Sequence, residues 1–466
     1  MTMFQSRSIP RLGVLVVVAL LAAACAGSSG DTTLSTSDNG TTSDDGTAGS
    51  TTTSGASETP AGETVEINVL GWAPGGQEYW DAAAAAFEAS NPNIDIVFES
   101  VPFDRYFEVQ GPIIAAQDGP DIMGNNAGLE MFERKDSYVV LNEVYPDRYT
   151  AAVEQLTTYA GACEGYVTTN PCYAVPFALQ GNVMYYNRTI LTDAGLDPDN
   201  PPATWEEFGS ACEAIQDLGL TCLALGLAGP FPAFWDFPEV ARNYLTEDEM
   251  RTILTGDMDW TDEKFVNILQ SLSEITVNGW TNEDAISISM LPEGADLFAA
   301  GQAAFAGTII SDAVNWLAFG EALGTENLGV MMWPAINPDA PLIDKFSGIE
   351  AGAWGITSWS EHPDEAMSFL EFLASEENAA IWIEFGEGFT LNKNVSPDVL
   401  PDNPNFRKIQ EIISNPTLHA GVMLSGPEID ALARGWQQVT LGQITVQEWA
   451  ESMQEALEGS TKRTGG

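Results

Sequence analysis

"TVEINVLGWAPGGQEYWDAAAAAFEASNPNIDIVFES", residues 64–100, carries the fold in three steps. Val65, Ile67 and Val69 alternate with Glu66 and Asn68 and stop at Gly71, the period of a strand that runs out into a loop. The alanine-rich run that follows has high helical propensity and ends before Pro92, after which Ile94, Ile96 and Phe98 alternate again. Two strands separated by one helix form a β-α-β unit, and "GPDIMGNNAG" (119–128) reads as the next strand entering a glycine- and asparagine-rich loop. The spacing predicts an α/β protein with a parallel sheet.

The same logic continues outward. "VMYYNRTIL" (183–191) reads as a strand leading into a short helix. In "PPATWEEFGSACEAIQDLGL" (201–220), Thr204 and Glu207 form a capping box, Phe208, Ala211, Cys212, Ile215 and Leu218 recur at helical spacing, and Gly219 supplies the stop. Thr261 heads a further helix whose stripe is Phe265, Ile268, Leu269 and Leu272. "GDMDWTDEK" (256–264) resembles a calcium loop but has Asp262 and Ile268 where glycine and glutamate are needed, so its acids are read as a helix start. "AAFAGT" (303–308) and "LGVMMWPAI" (328–336) are strand-like, and helices are expected in "PDEAMSFLEFLAS" (363–375) and from 426 to 458.

Upstream, Arg7 and Arg11 precede an apolar run from Val14 to Leu21, too short to span a bilayer and suited to an export signal at 1–24. Ala22, Ala23 and Ala24 before Cys25 resemble the lipobox of bacterial lipoproteins, in which the cysteine is lipidated; the usual leucine three places before it is Ala22 here, and ordinary cleavage is the alternative. Residues 25–63 contain Leu34 as their one large aliphatic and no aromatic side chain, so they cannot bury enough apolar surface to fold and form a tether reaching about 30–35 Å. The other cysteines fall into two local pairs, Cys163 with Cys172 and Cys212 with Cys222, as expected for disulfides in an oxidising compartment. No metal site is expected, since no C-x-x-C occurs and His362 and His419 lie far apart. A formal charge of −50 repels nucleic acid and anionic headgroups, which argues against both as partners. About 400 residues remain after the tether, too many for one core and suited to two.

Three stretches in order, "YAVPFALQGNVMYYNRTILTDAGLDPDNPPATWEEF" (173–208), "FAAGQAAFAGT" (298–308) and "AGAWGITSWSEHPDEAMSFLEFL" (351–373), resemble the extracellular solute-binding proteins of ABC importers, in the sugar-binding branch that includes maltose-binding protein. The resemblance runs from Glu63 to about Glu458. It implies a two-lobed, type II periplasmic-binding-protein-like fold, α/β in each lobe, hinged around a ligand cleft. The expected division is 64–173 plus 302–346 for the amino-terminal lobe and 174–301 plus 347–466 for the carboxyl-terminal lobe. The chain would cross near Pro171–Pro176, Gly301 and Phe346–Gly348.

Ligands of such sheets sit beyond the carboxyl ends of strands. In "GWAPGGQEYW" (71–80) Trp72 either stacks on a sugar ring or closes the core, and Gly75 and Gly76 allow close backbone approach. Asn125 and Asn126 carry amides that donate and accept, as hydroxyls require, although asparagine also favours turns; Asp121 is read as structural. Gln180 and Asn182 lie near a crossing, and "GPFPAFWDFP" (229–238) crowds Phe231, Phe234, Trp235, Asp236 and Phe237 between prolines, with Trp235 favoured as a stacking platform over a core anchor. Tyr185 and Tyr186 are expected to divide between core and surface. The resemblance further implies cleft positions for Asp312 and Trp354, with Glu350 the next candidate.

The expected function is capture of a carbohydrate by a monomeric, lipid-anchored protein on the outer face of the membrane and its delivery to an ABC permease, without chemistry or cofactor. Alternatives are the same fold holding a peptide, a polyamine or another cation, a signalling receptor, and a secreted glycosidase using two carboxylates.

Overall fold

The computed structural model describes residues 64–310, 316–386, 388–417, 419–460 and 462. The leader at 1–24, Cys25, the tether at 25–63 and Asp312 lie outside the described residues. The opening β-α-β unit forms as its pattern requires. Strand β1 (Val65–Gly71) pairs in parallel with β2 (Ile94–Ser100) from Val65 opposite Ile94 to Gly71 opposite Ser100. The connecting helix Gly76–Ser90 buries Tyr79, Trp80, Ala83 and Phe87, one stripe at helical spacing. Strand β3 (Ile122–Asn125) adds in parallel on the other side of β1.

The rest of the sheet is organised by one long strand. β4 (Val175–Asn187) runs antiparallel to four later strands along its length. Its first residues, Val175 to Gly181, pair with β8 (Phe346–Ile356), which is itself antiparallel to β3. From Asn182 onward it pairs with β6 (Ala303–Ile309) and β7 (Leu328–Met331), and β6 is in turn parallel to β5 (Thr221–Ala224). The main order is β2-β1-β3-β8-β4-β6-β5, with β7, β9 (Phe389–Thr390) and β10 (Pro416–Thr417) attached at the sides. The sheet is therefore mixed rather than wholly parallel. β4 belongs to both halves, and the partner changes between Gly181 and Asn182.

This pairing corrects the expected division into lobes. Residues 303–309 and 328–331 join β4 and β5, not the amino-terminal strands, while 349–356 lie between β3 and β4. The expected crossing at Phe346–Gly348 coincides with a change of partner, because Phe346 and Ser347 pair with β10 and Gly348 onward pairs with β4. The expected crossings at Pro171–Pro176 and Gly301 each fall inside one half. A further passage lies between Lys393, whose amide donates to Gln155 O at 2.9 Å, and Asn405, whose side chain donates to Thr325 O at 3.1 Å. A buried strand such as "AAFAGT" is apolar on both faces, so its sequence carries no signal of which sheet it enters.

Local predictions hold in the second half. The Thr204–Glu207 capping box opens the helix Trp205–Gln216, whose Phe208, Ala211, Cys212 and Ile215 are buried. That helix ends before Leu218, which is exposed. Both disulfides form: Cys212–Cys222 ties this helix to β5, and Cys163–Cys172 closes a loop of the first half. Helix Glu263–Val277 buries the expected stripe, although its cap position is Asp262 rather than Thr261. Tyr185 and Tyr186 are both buried, because β4 is flanked by strands on either side and covered on both faces. Among the described residues no helix is long and apolar enough to cross a membrane.

Candidate ligand-binding site

A cavity of about 170 Å³ opens where the two halves share β4 and β8. The first half contributes Trp72 and Pro74 from the loop after β1, Phe103 from the helix after β2, and Asn126 from the end of β3. The shared strands contribute Gln180, Glu350 and Gly352. Phe231, Phe234 and Trp235 come from the proline-framed loop of the second half, with Leu291, Ile309 and His419. Most of these positions follow the carboxyl ends of strands, where loops converge.

The aromatic walls are held from behind. Trp72 is half-buried, its ring edge-on to Phe103 at 5.6 Å and Tyr106 at 5.4 Å and tilted against Trp354 at 5.9 Å. Trp354 itself is fully buried, packed on Trp80 at 4.6 Å. It lies flat across β1 and β3, so close that a Cβ on Gly71 would stand 2.2 Å and one on Gly124 3.0 Å from its ring. Trp354 therefore supports Trp72 and does not line the cavity. Opposite, half-buried Trp235 meets His419 edge-on at 6.1 Å, and its indole N–H has no hydrogen-bond partner among the described residues. Burial pushes the His419 imidazole down to about 3, so the ring is neutral at physiological pH.

The polar groups divide into those that face the cavity and those that build it. Glu350 is 5 % exposed, and its Oε1 accepts from Thr158 Oγ1 at 2.9 Å and Gly161 N at 3.2 Å. Gln180 Oε1 accepts from the amides of Gly181 at 3.1 Å and Ile310 at 3.2 Å, which joins β4 to the end of β6. Asn126 donates to Glu130 Oε2 at 2.7 Å. Asn125 is fully buried in a network with Tyr138 and Gln110 and serves the core. Asn182 donates to Trp235 O at 2.9 Å and so positions the platform loop without lining the cavity.

Two further expectations are corrected. Asp236 is buried beside Glu239, where burial and that neighbouring carboxylate hold it well above the usual range. Gly75 and Gly76 adopt left-handed backbone at the helix start, but a Cβ on Gly75 would meet Trp382, and neither glycine lines the cavity. Of the sequence candidates, Trp72, Asn126, Gln180, Trp235 and Glu350 converge on the cavity. Phe103 and Ile309 were not singled out, yet each stands just past or at the end of a strand, the signal that pointed to Trp72. His419 carried no such signal in the sequence.

The family model for bacterial extracellular solute-binding proteins matches residues 73–380. A putative binding protein of Brucella abortus (strain 2308) is 29 % identical over 181 residues, which cover 37 % of this chain and 41 % of that protein, so the match spans about two fifths of the relative. The sn-glycerol-3-phosphate-binding periplasmic protein UgpB of Shigella flexneri is 26 % identical over 318 residues, covering 65 % of this chain and 68 % of that one. Maltose-bound MalE3 of T. maritima shares the fold with a TM-score of 0.69 at 17 % identity, over 85 % of this chain and 99 % of that chain.

Proposed function

The chain belongs to the bacterial extracellular solute-binding proteins, and from that premise we propose that it captures a carbohydrate in the cavity between its two sheet halves and delivers it to the membrane subunits of an ABC importer. The observation that carries this reading is the pair of aromatic faces, Trp72 and Trp235, supplied by different halves around Gln180, Asn126 and Glu350. Aromatic rings cover the apolar faces of a sugar, and amides and a carboxylate take its hydroxyls. Closure follows when the guest contacts both halves better in the shut state than in the open one.

Two features favour capture of a neutral or positive solute without turnover. Hydrolysis of a glycoside by the usual route needs two carboxyl groups facing the bond, and Glu350 is the one carboxylate among the described lining residues. A phosphorylated solute needs cationic partners, and no lysine or arginine appears in that lining. Lipid attachment at Cys25 and the tether that follows complete the proposal by holding the catcher near its permease. Cys25→Ser is expected to release the protein from the cell surface into the medium.

The test is titration calorimetry of the purified chain against neutral saccharides, amino sugars, peptides and polyamines. Saturable one-to-one binding of a saccharide, with no product formed on long incubation, is the expected result. Silence from every saccharide with a clear peptide hit overturns it.

A further inference from the structure

Glu350 is an uncompensated carboxylate. It is 5 % exposed, and the two groups that bond it, the Thr158 hydroxyl and the Gly161 amide, are both neutral. None of the ion pairs among the described residues includes it. The other titratable group lining the cavity, His419, is held neutral by burial. A buried carboxylate bonded by neutral groups alone, with no cation paired to it, is a place where a positive ligand gains on binding. The position is also built: a Cβ on Gly161 would stand 2.6 Å from Glu350 Oε2, so the loop that holds the carboxylate approaches at a distance only glycine allows.

The surrounding walls favour the same charge. Trp72, Phe103, Phe231, Phe234 and Trp235 present aromatic rings to the cavity, and the negative face of an aromatic ring attracts a cation. The volume sets the size. A cavity of about 170 Å³ is close to the roughly 150 Å³ of an engineered apolar cavity that accepts benzene, so it has room for one six-membered ring.

We infer that the guest is a single sugar ring bearing a protonated amine, with the amine set against Glu350 and the ring between Trp72 and Trp235. This rests on the carbohydrate reading for the ring and on Glu350 for the charge, and the two are separable by experiment. Calorimetry is run on the full chain with glucosamine, glucose and cyclohexylamine, which share a six-membered ring and differ in amine and hydroxyl groups. The expected order is glucosamine tighter than either of the others by about tenfold or more, the worth of one hydrogen bond to a charged group.

Glu350→Gln is expected to lower the glucosamine-to-glucose preference by a similar factor. Thr158→Val, which leaves the carboxylate in place but frees its aim, is expected to lower it less. Equal binding of glucose and glucosamine by the unaltered chain overturns the amine assignment while leaving carbohydrate capture standing. Cyclohexylamine binding as tightly as glucosamine upholds the charge and removes the sugar. Silence from both amines overturns the inference, and because this readout uses the unaltered chain, poor folding of a variant does not obscure it.

Discussion

Replacing Trp235 and Trp354 by alanine, one at a time, separates a binding surface from the frame behind it. Trp354 is fully buried between Gly71 and Gly124 and packs on Trp72 and Trp80. Its removal leaves a large cavity and costs about 3–5 kcal/mol. Trp235 is half-buried, its indole N–H bonds nothing among the described residues, and the carbonyl that anchors its loop to Asn182 belongs to the main chain. Trp235→Ala therefore breaks no hydrogen bond and forfeits roughly half of a buried tryptophan's worth, about 2 kcal/mol. With an unfolding entropy of about 2.1 cal/mol/K per residue over roughly 400 residues, 2 kcal/mol lowers Tm by about 2–3 °C and 4 kcal/mol by about 5 °C. Binding responds in the opposite order: loss of the exposed aromatic face weakens saccharide affinity about tenfold, from about 1.5 kcal/mol of ring contact. Thermal melts without ligand and calorimetry with it measure both. If Trp235→Ala lowers Tm as far as Trp354→Ala while the folded fraction still binds with unchanged affinity, Trp235 is an anchor and the reasoning fails.

Further outcomes are expected elsewhere in the molecule. Replacing Cys212 and Cys222 together by alanine opens a loop closed across a sequence separation of 10, and lowers stability by about 2.5–3 kcal/mol in denaturant melts; no loss of stability would leave the cross-link without structural weight. Gly71→Ala forces a Cβ to 2.2 Å from the Trp354 ring, and the resulting overpacking costs about 1–3 kcal/mol, so an unchanged melting temperature would contradict the packing described. Burial raises Glu130 from 4.5 to about 7, against the pull of Arg134 and Asn126. The folded state thus binds the extra proton between those values, so this group favours folding below about pH 4.5 and that contribution is lost as pH rises through 7. Glu130→Gln is expected to flatten this decline by about 2 kcal/mol, allowing for partial exposure, and parallel pH profiles for the two proteins would refute the assignment.

Local structure was legible where one short pattern decides it. The alternation of Val65, Ile67 and Val69, the Thr204–Glu207 cap and the paired cysteines all depend on neighbours within about a dozen residues, and all appear as read. Partnership between distant strands was not legible, because β6 and β8 are apolar or glycine-rich throughout and their order along the chain does not state which edge they join. The same distinction governs the site. Trp72, Trp235 and Glu350 stand on loops or strands whose chemistry is unusual for its place, and they meet in the cavity. Trp354 and Asn125 have equally suggestive side chains but point into the core, and orientation at a single strand position is set by register, which the sequence does not print. His419 reaches the cavity from a segment 184 residues beyond Trp235, the ring it meets edge-on, so no local pattern announces it.

β4 carries one more implication. Its backbone is paired on both sides of the Gly181–Asn182 step, with Gly181 pressed so near Phe346 that a Cβ would stand 2.2 Å from the ring. Were one half to swing against the other, this strand would take up its share as twist over a peptide or two, a torsion bar and not a slack cord. Gln180 and Asn182 lie at that step, one lining the cavity and the other holding the Trp235 loop. On the proposed reading, filling the cavity would therefore be felt first as rotation at this one step of β4.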